Sequence, residues 1–240
     1  MQSLKSGSEV IHFDDRGPRE DFAIVFLNSL GTDFRVWDKL LNVLGDRFRT
    51  VRMDKRGHGL STNYKNEISI ESLAKDVSVL VDSLNLKNIC VVGLSIGGLI
   101  ALELIRQRPN LCKKLILSDT APKIGSKDMW ANRIKLVQDG GIEAISDDIL
   151  ARWFSSSFLK DNVDELQMWR SMLIRTTKAG YIGCCNAISR CDLTEQAKLI
   201  NIPTLVIVGD EDGSTPINVV KDGANLINGS IFKIIKKAGH

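Results

Sequence analysis

Short runs rich in branched apolar residues recur along the chain, each closed by a turn signal. They are EVIHF (9–13), AIVFLN (23–28), TVRMD (50–54), ICVVG (89–93), KLILSD (114–119), TLVIVG (204–209) and IFKIIK (231–236). Several are apolar at every position instead of alternating, the pattern of a central strand covered on both faces. Between them the period changes. FRVWDKLLNVLGD (34–46) repeats its apolar residues at three and four, and IGGLIALELIRQRP (96–109) ends at a proline. SIESLAKDVSVLVDSL (69–84) opens on Ser69 and Glu71 and puts Leu73, Val77, Leu80 and Val81 on one helix face. Alternation of this kind predicts an α/β fold, with a mostly parallel central sheet flanked by helices.

The rhythm breaks after residue 122. DMWANRIKLVQDG, GIEAISDDILARWF, NVDELQMWRSMLIRT and YIGCCNAISRC carry helical patterning with no strand among them. A helical cap over 123–197 is therefore expected, inserted into a core built from 1–122 and 198–240.

Composition narrows the function class. With 240 residues, 43% hydrophobic and 25% charged, the chain can bury a core without metal or disulfide staples. The 32 basic and 29 acidic residues are interspersed, so the net charge of +3 gives no footprint for nucleic acid. No apolar run reaches the length of a membrane span, and MQSLKSGSEV lacks the apolar core of a signal peptide. The five cysteines are an odd number without metal-ligand spacing, which fits reduced, buried thiols and a cytoplasmic location. Adjacent Cys184 and Cys185 read as packing more readily than as a redox pair.

The chemistry gathers around VVGLSIGGLIALEL. Gly93-Leu94-Ser95-Ile96-Gly97 is a G-x-S-x-G directly after a strand and directly before a helix. In that setting the serine sits on a tight turn, its flanking glycines avoid collision, and the helix aims its first amides at developing negative charge. Ser95 is the expected nucleophile and the N–H of Ile96 an oxyanion donor.

Such elbows run in the chain order nucleophile, acid, histidine. Of the three histidines, His12 and His58 precede Ser95 and read as structural, so His240 is the expected base. In VIVGDEDGSTP, Asp210 and Asp212 compete for the acid role, with Glu211 a poorer third. The alternation of side chains near a strand end favours Asp212, and a turn-capping role for Asp210 stays open. The turn after AIVFLN reads Asn28-Ser29-Leu30-Gly31, where the Leu30 N–H is the candidate second donor.

These residues resemble the α/β-hydrolase superfamily and, within it, the 3-oxoadipate enol-lactonases, from about Val10 to His240. FLNSLGTDFRVWD, RMDKRGHGLS, DTAPKIGSKDMWANRI, ARWF, GYIGCCNAI and IPTLVIVGDED carry the likeness beside the serine motif. Many members of the superfamily have His-Gly where this chain has Asn28-Ser29, and the NSLG form points to the narrower group.

The resemblance implies hydrolysis of a small lactone to an open-chain keto diacid. Ser95, His240 and Asp212 would act without metal or organic cofactor, and Ser29 would join the substrate contacts. The free carboxylate of such a lactone needs a partner. Trp130 and Arg133, three apart on a cap helix, could wall the ring and meet that carboxylate, or could be packing and a solvated face. Trp153, Met168, Trp169 and Tyr181 read as cap core.

Two other functions stay open: a carboxylesterase or carbon–carbon bond hydrolase of the same fold, and a non-catalytic binding protein. The partner expected is a small molecule, with neither nucleic acid nor membrane, and the oligomeric state is open. The fold ordinarily places one more helix after this histidine, so the natural chain is expected to continue beyond His240.

Overall fold

The computed structural model describes residues 1–20, 22–63 and 67–240. Eight strands form one sheet: β1 (Gln2–Ser6), β2 (Glu9–Arg16), β3 (Phe22–Leu27), β4 (Thr50–Met53), β5 (Asn88–Leu94), β6 (Cys112–Ser118), β7 (Thr204–Gly209) and β8 (Ile231–Ile235). Their order across the sheet is β1-β2-β4-β3-β5-β6-β7-β8. β1 and β2 pair antiparallel, β2 meets β4 antiparallel, and every later pairing is parallel.

The helices are α1 (Asp38–Leu44), α2 (Ile70–Ser83), α3 (Ile96–Gln107), α4 (Lys127–Gly140), α5 (Ser146–Trp153), α6 (Ser156–Asp161), α7 (Val163–Ile174), α8 (Lys178–Arg190), α9 (Thr194–Lys198) and α10 (Ile217–Leu226). Helices α4 to α9 fill the stretch between β6 and β7.

β5 is buried from Ile89 onward, as its unbroken apolar run requires, while the edge strand β8 leaves Ile231, Ile234 and Ile235 exposed. α2 starts where Ser69 accepts from the Ser72 amide and Ser72 returns a bond to the Ser69 amide. The reciprocal partner of the cap is therefore Ser72, not Glu71. The single helix expected over 34–46 is broken: a 3₁₀ turn at Phe34–Trp37 leads into α1, and Gly45 at φ 58° ends it.

The five cysteines are free, and four of them are buried. Burial pushes the Cys184 thiol up to about 12 and the Cys185 thiol up further, the opposite of a reactive thiolate. Among the described residues, no helix is long and apolar enough to cross a membrane.

One buried ion pair ties the N-terminal hairpin to the sheet. Arg56 donates to both Asp76 oxygens at 2.6 and 2.8 Å, and Ser6 Oγ adds a third bond at 2.6 Å. β1, the loop after β4, and α2 meet at this point. Removing one partner strands the other's charge in the interior. Asp76→Ala is therefore expected to cost about 3–5 kcal/mol in urea unfolding, and a loss under about 1 kcal/mol would show the guanidinium reaching water instead.

Candidate active site

The site stands at the carboxyl ends of the parallel strands, where such folds carry ligands. β5 ends at Leu94, and Ser95 turns the chain into α3 at φ 57°, ψ −121°. A non-glycine residue in that region is strained, and the surroundings hold it there. The Ser95 amide donates to the Ser118 carbonyl at 3.0 Å, and its own carbonyl accepts from Gly98 N at 2.8 Å and Thr120 Oγ1 at 2.7 Å. Both flanking glycines are sterically required. A Cβ on Gly93 would come within 2.5 Å of the Gly97 carbonyl oxygen, and one on Gly97 would strike the Leu27 carbonyl.

His240 arrives from the far side of β7. A Cβ on Gly209 would collide with the carbonyls of Ala238 and Gly239, and one on Gly239 with the Trp153 carbonyl. The approach from Lys237 to His240 thus threads between β7 and α5, with His240 N donating to Trp153 O at 2.7 Å. Its Nδ1 lies 2.9 Å from Asp212 Oδ2. The Asp212 carboxylate also accepts from Ser214 N at 2.6 Å, Thr215 N at 2.9 Å and Thr215 Oγ1 at 2.8 Å. Burial works to raise this carboxyl, but the His240 bond and charge and the two amides outweigh it and hold Asp212 below the usual carboxylate range.

Of the competing acids, Asp210 accepts from Ala238 N at 3.3 Å and faces Lys236, and Glu211 accepts from Ser156 N and Oγ at 2.8 and 2.7 Å. Neither of these bonds goes to the histidine ring.

Ser29, Leu30, Trp130, Arg133, Ser95 and His240 line one narrow cleft between core and cap. His240 Nε2 lies 3.5 Å from Ser29 Oγ. Ser95 Oγ borders the same cleft and hydrogen-bonds to none of the described residues; contacts of this kind often tighten only with substrate in place. Ile96 opens α3, where amides lack helical partners, and the Leu30 amide donates to no group among the described residues.

Trp130 is buried, with its indole N–H on the Ile124 carbonyl at 2.7 Å, and the Arg133 guanidinium stacks 5.1 Å from its ring centre. Trp153 and Tyr181, expected in the cap core, are buried but also line the cleft. Met168 departs further: it is 67% exposed and lies outside the cap core.

His12 and His58 lie elsewhere. His12 Nδ1 is 2.8 Å from Asp54 Oδ2, and His58 is buried with Nδ1 3.0 Å from the Arg56 carbonyl.

Three site residues escaped the reading of the sequence. Asp119, at the end of β6, has ligand atoms within 4.8 Å of those of Asp212 and His240. Burial raises its pKa to about 6, against the opposing effect of His240. Its oxygens already accept from Ser118 Oγ at 2.6 Å and Gly209 N at 2.9 Å, so this trio reads as an extended acid–histidine group before it reads as a metal centre. Thr215 bridges Asp212 and the Asp119 carbonyl. Arg152 is a second cation on the cleft. The LSD ending of β6 was the available signal for Asp119 and the ARWF stretch the one for Arg152; Thr215 had none.

The chain is similar to known proteins along most of its length. The profile of the alpha/beta hydrolase fold family matches residues 23–240. The chain is 31% identical over 221 residues to 3-oxoadipate enol-lactonase 2 of Acinetobacter baylyi, covering 92% of this chain and 82% of that protein. It is 34% identical over 207 residues to 3-oxoadipate enol-lactonase 1 of the same organism, covering 86% and 76%. The crystal structure of the enol-lactonase from Burkholderia xenovorans superimposes with a TM-score of 0.92 at 32% identity, covering 98% of this chain and 91% of that one.

Proposed function

The chain belongs to the alpha/beta hydrolase fold family, and from that premise we propose that it is a serine hydrolase opening the ring of 3-oxoadipate enol-lactone or a close carboxylated analogue. The observation that carries the reading is the His240–Asp212 contact of 2.9 Å on the same cleft as Ser95. The similar enol-lactonases support the choice of substrate.

The chemistry follows from the atoms present. Asp212 fixes the imidazole with Nδ1 protonated, which leaves Nε2 free to take the Ser95 proton as Oγ attacks the lactone carbonyl. The tetrahedral oxyanion forms between the Leu30 and Ile96 amides. Collapse breaks the ring C–O bond, and the departing enol oxygen takes the proton back from His240. An enol leaves more readily than an alkoxide and then tautomerises to the ketone. The acyl chain remains on Ser95 until water, deprotonated by His240, attacks it and releases the carboxylic acid.

The direct assay supplies enol-lactone and follows the loss of its ultraviolet absorbance. Turnover that Ser95→Ala abolishes supports the reading. An enzyme that hydrolyses simple esters but leaves the lactone intact is an esterase of another substrate class.

Arg133 gives a sharper check on the substrate carboxylate. A charge-assisted hydrogen bond to it strengthens binding by about 1.5–3 kcal/mol. Arg133→Ala should raise KM for the carboxylated lactone by about tenfold or more and leave KM for uncharged p-nitrophenyl acetate nearly unchanged. An unchanged lactone KM would move the carboxylate to Arg152 or elsewhere.

A further inference from the structure

Behind the oxyanion loop sits a lysine that the mechanism above does not use. Lys55 follows β4, and its side chain is fully buried. Its Nζ donates to the Ser29 carbonyl at 2.6 Å and to the Thr32 carbonyl at 3.2 Å. Among the described residues, no carboxylate oxygen lies within ion-pair distance of it. A buried ammonium without a paired carboxylate is costly, and an apolar chain of the same length would fill the space at less expense.

The Ser29 carbonyl belongs to the same peptide unit as the Leu30 N–H. That unit is planar and trans, so its C=O and N–H point in opposite directions. Holding the oxygen therefore aims the N–H. Three donors converge on this oxygen: Lys55 Nζ at 2.6 Å, Thr32 Oγ1 at 2.9 Å and Thr32 N at 3.3 Å. The lysine is the shortest and carries the charge. A cation on a carbonyl also draws electron density through the amide and makes its N–H a stronger donor. The opposite end of the unit, the Leu30 amide, has no partner among the described residues.

We propose that Lys55 is a positioning residue for the oxyanion hole, fixing and polarising the Ser29–Leu30 peptide so that the Leu30 N–H meets the developing oxyanion. The inference rests on the hydrolase reading given above and adds to it the group that organises one of its two donors.

The titratable groups facing Lys55 come from three segments. Asp33 lies in the loop after β3, Asp54 and His58 flank Lys55 in its own loop, and Cys184 approaches from α8. Burial dominates, lowering the Lys55 pKa to about 8 against the opposing effects of Cys184, Asp54 and Asp33. His58 is held well below its ordinary value, first by burial and then by Lys55, so it is neutral throughout the range in question. The ammonium form, and with it the stronger donor, is thus lost as pH rises through about 8.

The test measures p-nitrophenyl acetate turnover by wild type, Ser95→Ala and Lys55→Met, with Tm recorded for each. Lys55→Met is expected to lower kcat about 10- to 100-fold, with KM within about twofold and Tm unchanged or raised. Wild-type kcat/KM is expected to fall above about pH 8, and Lys55→Met to lose that falling limb. Lys55→Met with kcat within about twofold of wild type overturns the proposal, and so does a kcat loss that tracks a fall in Tm alongside a flat wild-type profile. If Lys55→Met does not fold, the wild-type profile decides alone, and a plateau that stays flat well above pH 8 overturns it. Turnover equal in wild type and Ser95→Ala overturns the hydrolase reading and this inference with it; Ser95-dependent turnover indifferent to Lys55 overturns the inference only.

Discussion

Ser95→Ala is expected to lower kcat by about 10⁶-fold while leaving Tm within a few degrees of wild type. The size follows from the loss of the attacking oxygen, after which only the oxyanion donors and binding act on the substrate. The unchanged stability follows from the backbone. The turn at φ 57° is held by hydrogen bonds from the Ser95 amide and to its carbonyl, and none of the described residues bonds to its hydroxyl. Alanine keeps all of those contacts. Pairing Ser95→Ala with His240→Ala should add almost nothing, because two groups that act as a unit do not lose independent contributions. A double variant another hundredfold slower than either single one would mean that His240 acts without Ser95.

Asp212→Asn is the second large effect, expected at about 10⁴-fold in kcat. The amide group is nearly isosteric, so Ser214 and Thr215 can still donate to its oxygen. Its NH₂ would face Nδ1 and drive the ring toward the tautomer that carries hydrogen on Nε2, the wrong one for a base. The sign of the Asp212 shift matters here. Its folded pKa lies below the unfolded value, so the ionised carboxylate stabilises the fold above the ordinary aspartate range and that contribution is lost as pH falls through the folded value. Asp212→Asn should therefore flatten the acid side of the stability profile as well as slow the reaction. A residual rate well above that expected would point to Asp119, whose carboxylate is within 4.8 Å of the same imidazole, as a substitute acid.

The readable features of this chain are those in which local pattern and tertiary demand coincide. β3 and β5 are apolar at nearly every position because both faces are covered, and a run such as ICVVG can hardly be anything else. The serine elbow was legible because its tight turn demands small residues at Gly93 and Gly97, where a Cβ would strike the Gly97 and Leu27 carbonyls. β1 was not, since QSLKS is short and mostly polar and depends on pairing with β2 across the turn at Gly7. α10 hid behind Gly223, a poor helix former that stands there because Pro122 and Ala121 press close to it. In the cap, Trp153 and Tyr181 were readable as buried but not as cleft walls, because spacing along a helix says nothing about which buried neighbour is substrate.

Lys55 shows the same boundary from the other side. Between Asp54 and Arg56 it looks like one more charge on a polar turn. Its partners, Ser29 and Thr32, lie 26 and 23 residues away and meet it only when β3 and β4 pair. Asp119 is alike: a strand-ending aspartate becomes a neighbour of His240 only through the β6–β7 pairing. The role of such residues is set by contacts distant in sequence, which a short local motif does not reveal.

The most direct measurement treats the protein with a fluorophosphonate and locates the adduct by mass spectrometry of its peptides. Expected is a single stoichiometric adduct on Ser95, formed fast in wild type and slowed by orders of magnitude in His240→Ala. A wild-type protein that stays unlabelled, or one labelled on another serine at an equal rate, would contradict a nucleophile activated by His240 and Asp212.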